Sequence, residues 1–526
     1  MENSKGHILW VDDEIELLRP HIILLQKKDY LVDTATNGED ALEMIKKRQY
    51  DLVFLDENML GISGLETLRK IKGFDKSIPV VMVTKNEAET LMEEAIGSKI
   101  DDYLTKPVNP AQIILACKKF LEAKRITTEK FTQNYFQSFN QITMQLIQRP
   151  SWDEWVAIYK KMVQFSIEID DLPDSNLIDT LQNQWRDANT EFAKYVENNY
   201  IDWINKPKDE EEPILSPHVN DKFLLPHLKE KTGPVFYFVI DCLRYDQWMM
   251  MESLLTNLYT IETDFHCAIL PTVTAYCRNA IFSGLFPIDI KKYFPQFWNV
   301  ENAPDEHSHN KYEKELLMTY LERKRIKLNR EPAFLKIFQT EFGQKVEKDI
   351  LNYLEYDLTG IVINAVDMIA HSRSDYSILK EIAPDESAYR SLTKSWFAHS
   401  SLFGMLKQLA NVKNATIVVT TDHGSIRCMR GVKAFGDRDT TPSLRYKFGK
   451  NVKADSKDAM MINDIEQIKI PSMGISVNNA IAKEDKYLLY PTDYQHYLNK
   501  YKDSFQHGGI SLEEMMAPVI TMKPKV

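Results

Sequence analysis

VFYFVID, residues 235–241, is an unbroken apolar run that ends on an aspartate. Similar runs follow at IVINAVD (361–367), TIVVTTDHG (416–424) and KYLLY (486–490), separated by stretches with helical spacing. Short runs that are apolar throughout are typical of strands buried inside a parallel sheet. The second half of the chain is therefore predicted to be an α/β domain, with limits placed at 226–526.

Three aspartates and three histidines in this domain form a donor set suited to a two-metal hydrolase. The candidate ligands are Asp241, Asp367, His371, Asp422, His423 and His507. The aspartates come at the ends of the first three runs, and an interval of four residues between Asp367 and His371 suits one helical face. Glycines follow both His423 and His507, so the backbone can approach closely at both places. The spacing predicts one shared metal centre.

A hydroxyl group precedes a predicted helix start in ILPTVTAYCRNAIFSG, residues 269–284. Free backbone N–H groups and the helix dipole favour an incoming anion such as phosphate at such a place. Thr272 and Thr274 are both candidates for a nucleophile, and either could instead be a helix cap.

The N-terminal segment, 1–122, alternates five short apolar runs with amphipathic stretches, which predicts a parallel sheet. The runs are HILWV, YLVDTA, DLVFLD, IPVVMVT and DDYLTKP. Their carboxyl ends carry Asp12, Asp13, Asp56, Thr84 and Lys106. Carboxylates that meet at one sheet edge favour a hard cation such as Mg²⁺, and Asp56 is placed to accept a phosphoryl group.

This segment resembles the receiver domain of two-component response regulators, through VDDE, LDENM, VT and KP at the family's spacings. The resemblance implies a CheY-like doubly wound fold with Asp56 as phosphoacceptor. It also implies Mg²⁺ bound by Asp12, Asp13, Asp56 and the backbone carbonyl of Asn58. Thr84 would be the switch hydroxyl, Tyr103 the switch aromatic, and Lys106 the phosphate contact before a cis Lys-Pro bond.

Residues 123–225 show helical spacing of apolar residues on three successive faces, which predicts a small helical bundle and linker. These faces carry Phe131, Tyr135, Phe139, Ile142 and Leu146, then Trp152, Val156, Tyr159, Val163 and Ile167, then Leu177, Leu181, Trp185, Phe192, Val196 and Tyr200. No helix-turn-helix pattern or basic stripe is evident, which disfavours a transcription-factor output.

Composition limits the class of protein. The 526-residue chain has a net charge of −11, 44% hydrophobic residues and five scattered cysteines. The acidic balance disfavours binding to duplex DNA, and the cysteine pattern favours a reducing compartment. With no apolar run long enough for a membrane span and no signal-peptide core, we expect a cytoplasmic protein.

The C-terminal domain resembles the alkaline phosphatase superfamily in its PglZ-like branch, through the ordered aspartates, histidines and threonine. In that superfamily the nucleophilic hydroxyl precedes a helix-ending glycine by ten residues, as Thr274 precedes Gly284 and Thr272 does not. The resemblance implies one zinc site of Asp241, Thr274, Asp422 and His423, and another of Asp367, His371 and His507. Zinc would lower the pKa of the Thr274 hydroxyl, and a threonine nucleophile fits the diesterase-like members.

Residues 286–345, rich in charged and aromatic side chains, are predicted to form an insertion over the site. Aromatic side chains there and near the threonines are candidates for stacking on bases, with core packing as the alternative. They are Tyr276, Tyr293, Phe294, Phe297 and Trp298. Arginines that could add positive charge, or form ordinary ion pairs, are Arg244, Arg278, Arg373, Arg427 and Arg430.

The succession of receiver, helical linker and PglZ-like domain resembles a class of response regulators linked to type IX secretion. That resemblance implies a sensor histidine kinase, control of secretion genes through a sigma factor, and phosphodiesterase action on cyclic or linear oligonucleotides. It also implies a homodimer on phosphorylation. Two alternatives stay open: a catalytically silent effector that binds a sigma factor or secretion component, and a phosphomonoesterase.

Overall fold

The computed structural model describes residues 4–75, 78–84, 101–171, 175–205, 212–300, 309–375, 377–437, 443–472, 477–492 and 494–526. The chain forms two compact units, Met1–Gln137 and Ser138–Val526. Within the described ranges, no helix combines the length and apolar character needed to cross a bilayer. The sequence-based limits 1–122, 123–225 and 226–526 differ from these two units and stay predictions.

The N-terminal unit contains a parallel five-stranded sheet in the order β2-β1-β3-β4-β5. Its strands are β1 (His7–Val11), β2 (Leu31–Ala35), β3 (Leu52–Asp56), β4 (Val80–Thr84) and β5 (Asp102–Thr105). All five predicted strands are present, and apolar clusters cover both faces of the sheet. The predicted doubly wound receiver fold is confirmed.

Helices of the receiver begin where side chains cap their free N–H groups. They are α1 (Arg19–Gln26), α2 (Gly38–Lys47), α3 (Gly64–Phe74) and α4 (Pro110–Cys117). Asn37, Ser63 and Asn109 each accept a hydrogen bond from the first turn of the helix that follows. This arrangement leaves the carboxyl ends of β1, β3 and β4 together at one edge of the sheet.

Three long helices follow: α5 (Ala123–Ile147), α6 (Trp152–Glu168) and α7 (Ser175–Asn205). A capping box between Ser151 and Glu154 starts α6. The apolar faces of α6 and α7 belong to the same hydrophobic core as the α/β sheet of the C-terminal unit. The sequence correctly predicts these buried faces, but they pack against the α/β domain as well as against one another.

The C-terminal unit is built on a six-stranded sheet in the order β7-β19-β10-β6-β9-β8. Its strands are β6 (Val235–Ile240), β7 (Tyr259–Cys267), β8 (Ala333–Ile337), β9 (Leu358–Ile363), β10 (Thr416–Thr420) and β19 (Met516–Pro524). Strands β10, β6, β9 and β8 run parallel, whereas β19 and β7 extend the sheet in antiparallel orientation. The predicted buried strands at 235–241, 361–367 and 416–424 form its centre.

Two details of the sequence interpretation are wrong. The run KYLLY forms β17 (Lys486–Leu489), which pairs with β12 (Arg430–Phe435) in a small separate sheet instead of the central one. Residues 286–345 do not all form an insertion over the site, because β8 is an edge strand of the central sheet. The other strands outside the central sheet are β11 (Ile426–Cys428), β13 (Tyr446–Gly449), β14 (Lys453–Ala454), β15 (Ala459–Ile462), β16 (Asn478–Ala482) and β18 (Ser504–Gln506).

Helices surround this sheet on both faces. They are α8 (Leu225–Glu230), α9 (Tyr245–Glu252), α10 (Thr274–Ser283), α11 (Pro287–Tyr293), α12 (Glu313–Arg323), α13 (Thr340–Asp349), α14 (Ala365–Asp375), α15 (Ser377–Ile382), α16 (Glu386–Ala398), α17 (Ser401–Leu409), α18 (Tyr494–Tyr501) and α19 (Leu512–Met515). Two of them, α10 and α14, begin beside the carboxyl ends of the central parallel strands and carry residues of the site.

Asn189 on α7 joins the helical segment to the loop that follows His507. Its side-chain oxygen accepts a hydrogen bond from the Leu512 backbone at 2.8 Å, and its amide donates to Glu513 Oε2 at 3.0 Å. Asn189 is 4% exposed, so the loss of its side chain would leave polar groups without partners in a buried place.

We therefore expect Asn189→Ala to lower the free energy of unfolding by about 1–3 kcal/mol. Urea denaturation of the full-length chain would measure the change. Asn205→Ala is the matched control, because Asn205 lies on the same helix, is exposed and bonds only within that helix in the described structure. Its effect should stay within about 0.5 kcal/mol, and an equal loss in both variants would contradict the assignment.

Candidate active site

The central sheet delivers two aspartates to one edge. Asp241 directly follows β6, and Asp422 comes two residues after the end of the neighbouring strand β10. Both carboxylates are buried, and the Cys242 backbone donates to Asp422 Oδ1 at 3.3 Å. Gly424 allows this chain reversal, because a Cβ at that position would collide with the Glu513 carbonyl.

Asp241, Asp422 and His423 form a first cluster, whose ligand atoms all lie within 4.8 Å of one another. The Thr274 hydroxyl adjoins it, with Oγ1 3.0 Å from His423 Nε2 and 3.4 Å from Asp241 Oδ1. Thr274 is the first residue of α10, and no side chain among the described residues caps that helix at Val273. The helix N-terminus is therefore directed toward the same cluster.

Asp367, His371 and His507 form a second cluster by the same distance criterion. Asp367 and His371 lie on α14, one turn apart, as their spacing predicts. Asp367 does not end a strand, because β9 stops at Ile363 and the aspartate lies in the first turn of the helix. His371 Nε2 is 3.3 Å from Asp367 Oδ1 and 3.3 Å from His507 Nε2.

The two clusters adjoin each other. The rings of His423 and His507 stack with centroids 4.4 Å apart and planes tilted by 20°. All seven side chains predicted for the effector site are thus gathered in one place, although they come from positions 241 to 507 of the chain.

Backbone carbonyls set the tautomers of two histidines. His423 Nδ1 lies 3.1 Å from the Gly424 carbonyl, and His507 Nδ1 lies 3.1 Å from the Thr272 carbonyl. Because a carbonyl oxygen can only accept, each Nδ1 carries the proton and each Nε2 keeps its lone pair toward the clusters. Such outer hydrogen bonds commonly orient histidines that bind metals.

Burial and charge repulsion shape the acid–base behaviour of the first cluster. Burial, reinforced by Asp422, raises the pKa of Asp241 to about 8. Burial also raises the pKa of Asp422 and lowers the pKa of His423. Asp422 Oδ2 is buried and has no hydrogen-bond partner among the described residues. Close carboxylates with an unpartnered oxygen and directed Nε2 lone pairs are a donor set that fits a divalent cation.

The two candidate threonines occupy different environments. The buried Thr272 hydroxyl donates to the Gly509 carbonyl and accepts from the Gly508 backbone, each at 3.0 Å. Gly508 adopts a φ of 115°, which suits glycine. Thr272 therefore links the loop at 507–509 to the start of α10, whereas the Thr274 hydroxyl faces the metal-binding residues.

The receiver has its own acidic pocket. Asp12, Asp13 and Asp56 form a third group whose ligand atoms lie within 4.8 Å of one another. Lys106 Nζ lies 2.8 Å from Asp12 Oδ2 and 3.0 Å from Asp56 Oδ2, and its bond to Pro107 is cis. Burial raises the pKa of the Asp56 carboxyl despite the nearby lysine.

Around this pocket, Asn58 and Tyr103 are exposed, the tyrosine by 42%. Thr84 Oγ1 donates a hydrogen bond to Glu57. The residues predicted for the phosphorylation site thus share one sheet edge, and Glu57 is an additional partner that the sequence did not single out.

Three parts of the chain match known families. Residues 8–118 match the response regulator receiver domain, residues 125–204 the PorX response regulator linker domain, and residues 219–522 the BREX system PglZ alkaline phosphatase-like domain. The last match covers more than half of the chain. The chain belongs to the PglZ alkaline phosphatase-like family. Its order of domains is that of a PorX-type response regulator, with a hydrolase-like effector and, through the receiver, a kinase partner.

Curated relatives share only the receiver part of this PorX-type chain. ResD of Bacillus subtilis is 32% identical over 120 residues, which are 23% of this chain and 50% of ResD. ZraR of Klebsiella oxytoca is 33% identical over 142 residues, 27% of this chain and 32% of ZraR. The chain thus spans half or less of these two relatives, both named as transcriptional regulatory proteins.

Solved receiver structures are also similar to this region. CheY4 of Vibrio cholerae is 26% identical and TrrA of Thermotoga maritima is 35% identical. Each comparison covers 22% of this chain and 98% of the other, with a TM-score of 0.21.

Four of the five arginines predicted as possible substrate contacts are paired with carboxylates. Arg244 binds Asp246 and Glu386, Arg278 binds Asp241 and Glu313, Arg427 binds Asp503, and Arg430 binds Glu484 and Asp485. The side chain of Arg373 lies outside the described residues.

Among the aromatic candidates, Tyr276 and Trp298 are buried and their rings are stacked, with centroids 6.2 Å apart. Phe294 and Phe297 stack at 6.4 Å, and Tyr293 is 58% exposed. The buried pair matches the core-packing alternative, so only the more exposed side chains are left as candidates for base stacking.

Sequence reasoning missed the residues that support the PglZ site from behind. Asn364 donates to Asp241 Oδ2 at 3.0 Å, and Asn310 donates to the Thr274 carbonyl at 3.3 Å. Asn364 lies inside the run IVINAVD, directly after β9, so its position at a strand end was the available signal. Asn310 offered no such signal.

Proposed function

We propose that this PorX-type protein is a phosphorylation-controlled, zinc-dependent phosphodiesterase with Thr274 as nucleophile. The observation that carries the proposal is the placement of Thr274 Oγ1, 3.0 Å from His423 Nε2 and 3.4 Å from Asp241 Oδ1, at the N-terminus of α10. Asp241, Asp422 and His423 would hold one zinc ion together with Thr274, and Asp367, His371 and His507 would hold the other.

Bound zinc would favour deprotonation of a hydroxyl and stabilise negative charge on phosphoryl oxygens. Thr274 Oγ1 would form a bond to phosphorus as the bond to the leaving alcohol oxygen breaks, and water would later release the phosphoryl group from Thr274. Free N–H groups at the start of α10 would face the anionic phosphate. Asn310 holds the Thr274 carbonyl, which limits movement of the nucleophile.

The paired arginines favour a diester over a monoester as substrate. A phosphate monoester carries nearly one more negative charge at neutral pH than a diester does. Arg244, Arg278, Arg427 and Arg430 already neutralise carboxylates of the protein, so they are not available to a second phosphate charge. A singly charged diester, such as a cyclic dinucleotide or a short linear oligonucleotide, suits this environment better.

Hydrolysis of two model esters with the same leaving group tests the proposal. For the zinc-loaded full-length protein, we expect kcat/KM for bis(p-nitrophenyl) phosphate to exceed that for p-nitrophenyl phosphate by at least about tenfold, or about 1.4 kcal/mol of transition-state stabilisation. Cyclic and linear dinucleotides would follow in the same assay. A preference for the monoester would favour a phosphomonoesterase, and no turnover of any ester would favour a silent binding module.

The receiver supplies the proposed control. We propose that residues 1–122 accept a phosphoryl group on Asp56 from a sensor histidine kinase, with Mg²⁺ held by Asp12, Asp13, Asp56 and the Asn58 carbonyl. Thr84, Lys106 and Tyr103 would respond to it, residues 123–225 would relay the change, and residues 226–526 would act. Dimerisation on phosphorylation and action on type IX secretion through a sigma factor are proposed from the resemblance of the whole architecture.

Asp56→Asn should eliminate phosphorylation of the full-length protein by acetyl phosphate and Mg²⁺, because the amide cannot form the acyl phosphate. Intact-mass spectrometry would detect the added phosphoryl group in the unmodified protein. Asp75→Asn is the matched control, since Asp75 is an exposed carboxylate of the same unit just after α3, and it should be labelled normally. Labelling of the Asp56 variant would refute the phosphoacceptor assignment.

A further inference from the structure

Arg278 is a buried cation directly behind the proposed nucleophile. It lies on α10 one turn after Thr274 and is 2% exposed. Its Nη1 donates to Asp241 Oδ2 at 2.6 Å, and its Nε donates to Glu313 Oε1 at 2.5 Å. Both contacts are made inside the protein, so the guanidinium is engaged on two sides.

Glu313 continues this arrangement away from the site. It is fully buried at the first residue of α12, and its second oxygen lies 2.7 Å from Lys336 Nζ on β8. The result is a buried series of alternating charges: Asp241, Arg278, Glu313 and Lys336. Each partner comes from a different element, so the series fixes Arg278 against the scaffold of the central sheet.

The two oxygens of Asp241 are used differently. Oδ2 accepts from Arg278 and, at 3.0 Å, from Asn364. Oδ1 is left toward the Thr274 hydroxyl, 3.4 Å away. Two donors on one oxygen determine the rotation of the carboxylate, and they leave the other oxygen directed at the first cluster.

We propose that Arg278 is a positioning residue for the first metal site. It holds Asp241 so that Oδ1 is presented to a bound metal beside Thr274, and its charge offsets part of the repulsion among Asp241, Asp422 and Asp367. Because Arg278 and Thr274 lie one turn apart on α10, the same helix sets both the nucleophile and the ligand. This inference rests on the proposed function for the identity of the metal site, but not on the choice of substrate.

The proposal distinguishes Arg278 from a substrate-binding arginine. A guanidinium that is 2% exposed and bonded to two carboxylates offers no free edge to a phosphate. Its removal should therefore weaken one metal site and lower kcat, while KM for a diester changes little.

Zinc affinity of each site in the full-length protein is the direct test. The two sites would be titrated against a chelating dye in wild type, Arg278→Lys and Arg278→Gln. We expect one of the two zinc affinities to fall at least tenfold in both variants, because neither side chain can bridge Asp241 and Glu313 as the guanidinium does. The other affinity should stay within about twofold, and kcat should fall with an almost unchanged KM.

A matched control separates positioning from general stability. Arg390 is also a buried arginine, bonded to Asp170 and Asp246, and it contacts no residue of either zinc cluster in the described structure. Arg390→Lys should lower the melting temperature while leaving both zinc affinities unchanged. If Arg278 variants weaken both zinc sites equally, or neither, the role of Arg278 is structural and the proposal is wrong.

Glu313→Gln provides a second variant should the Arg278 variants fail to fold. It keeps Arg278 but weakens the contact that orients it, so the same zinc affinity should fall by several-fold. An unchanged affinity in Glu313→Gln would overturn the proposal. Wild-type protein that binds two zinc ions but cleaves no diester would refute the proposed function alone. Wild-type protein without a zinc site would refute both.

Discussion

Thr274→Ala should lower diester hydrolysis by about 10⁴-fold or more, the scale seen when an enzyme loses its nucleophile. The hydroxyl is the group nearest to both His423 Nε2 and Asp241 Oδ1, and alanine offers no oxygen for a bond to phosphorus. The variant should keep its fold, because α10 has its other contacts unchanged and alanine favours helices. Initial-rate kinetics with bis(p-nitrophenyl) phosphate, together with zinc content, would measure the effect.

Two further variants make this result specific. Thr274→Ser keeps a hydroxyl and should restore part of the activity. Thr272→Val removes the hydroxyl that bonds Gly508 and Gly509, so it should cost about 1–3 kcal/mol of stability yet retain most turnover at low temperature. Loss of turnover in Thr272→Val with retention in Thr274→Ala would reverse the assignment of the nucleophile.

The receiver fold follows closely from the sequence because its strands are short, apolar and separated by amphipathic helices. In the run DLVFLD, every residue of β3 is buried, and the strand ends at the predicted phosphoacceptor Asp56. The central strands β6 and β10 were predictable for the same reason. The strand β7 was not, because it lies at the sheet edge and its burial is uneven, so polar residues interrupt the apolar pattern.

Local pattern could not identify the partner of an apolar face. Trp155, Tyr159 and Phe192 are buried as the helical spacing predicts, but they share a core with the central sheet. KYLLY is buried and parallel to its neighbour as expected, yet it belongs to a small sheet, because a short apolar run carries no information about which strand it joins. Tertiary contacts between distant segments decide both cases.

The candidate site shows the same division. Its seven predicted side chains were recognisable from residue type and order, and the structure brings them together. Arg278 and Glu313 were not recognisable as a pair, since arginine and glutamate are common on helix surfaces and nothing local marks them as buried. The residues that could supply chemistry were thus easier to predict than the residues that hold them in place.

Metal removal is the second change with a large expected effect. Treatment with a strong chelator should reduce diester turnover to background and lower the melting temperature of the C-terminal unit, and added zinc should restore both. A ligand that binds only the folded state at 1,000 times its Kd adds about 4 kcal/mol of stability. In the metal-free protein, buried carboxylates oppose one another, since the pKa of Asp241 is raised to about 8 by burial and by Asp422.

That raised pKa also predicts the direction of a pH effect. Below about pH 8 the metal-free Asp241 holds a proton that zinc must displace, so zinc affinity should rise with pH and level off near pH 8. Dye competition across pH 6–9 in the same protein would measure the slope. Asp51→Asn in the receiver serves as the control, because an exposed carboxylate outside both zinc clusters should leave affinity and slope unchanged. Turnover that survives complete chelation would show that the hydroxyl does not act beside a metal.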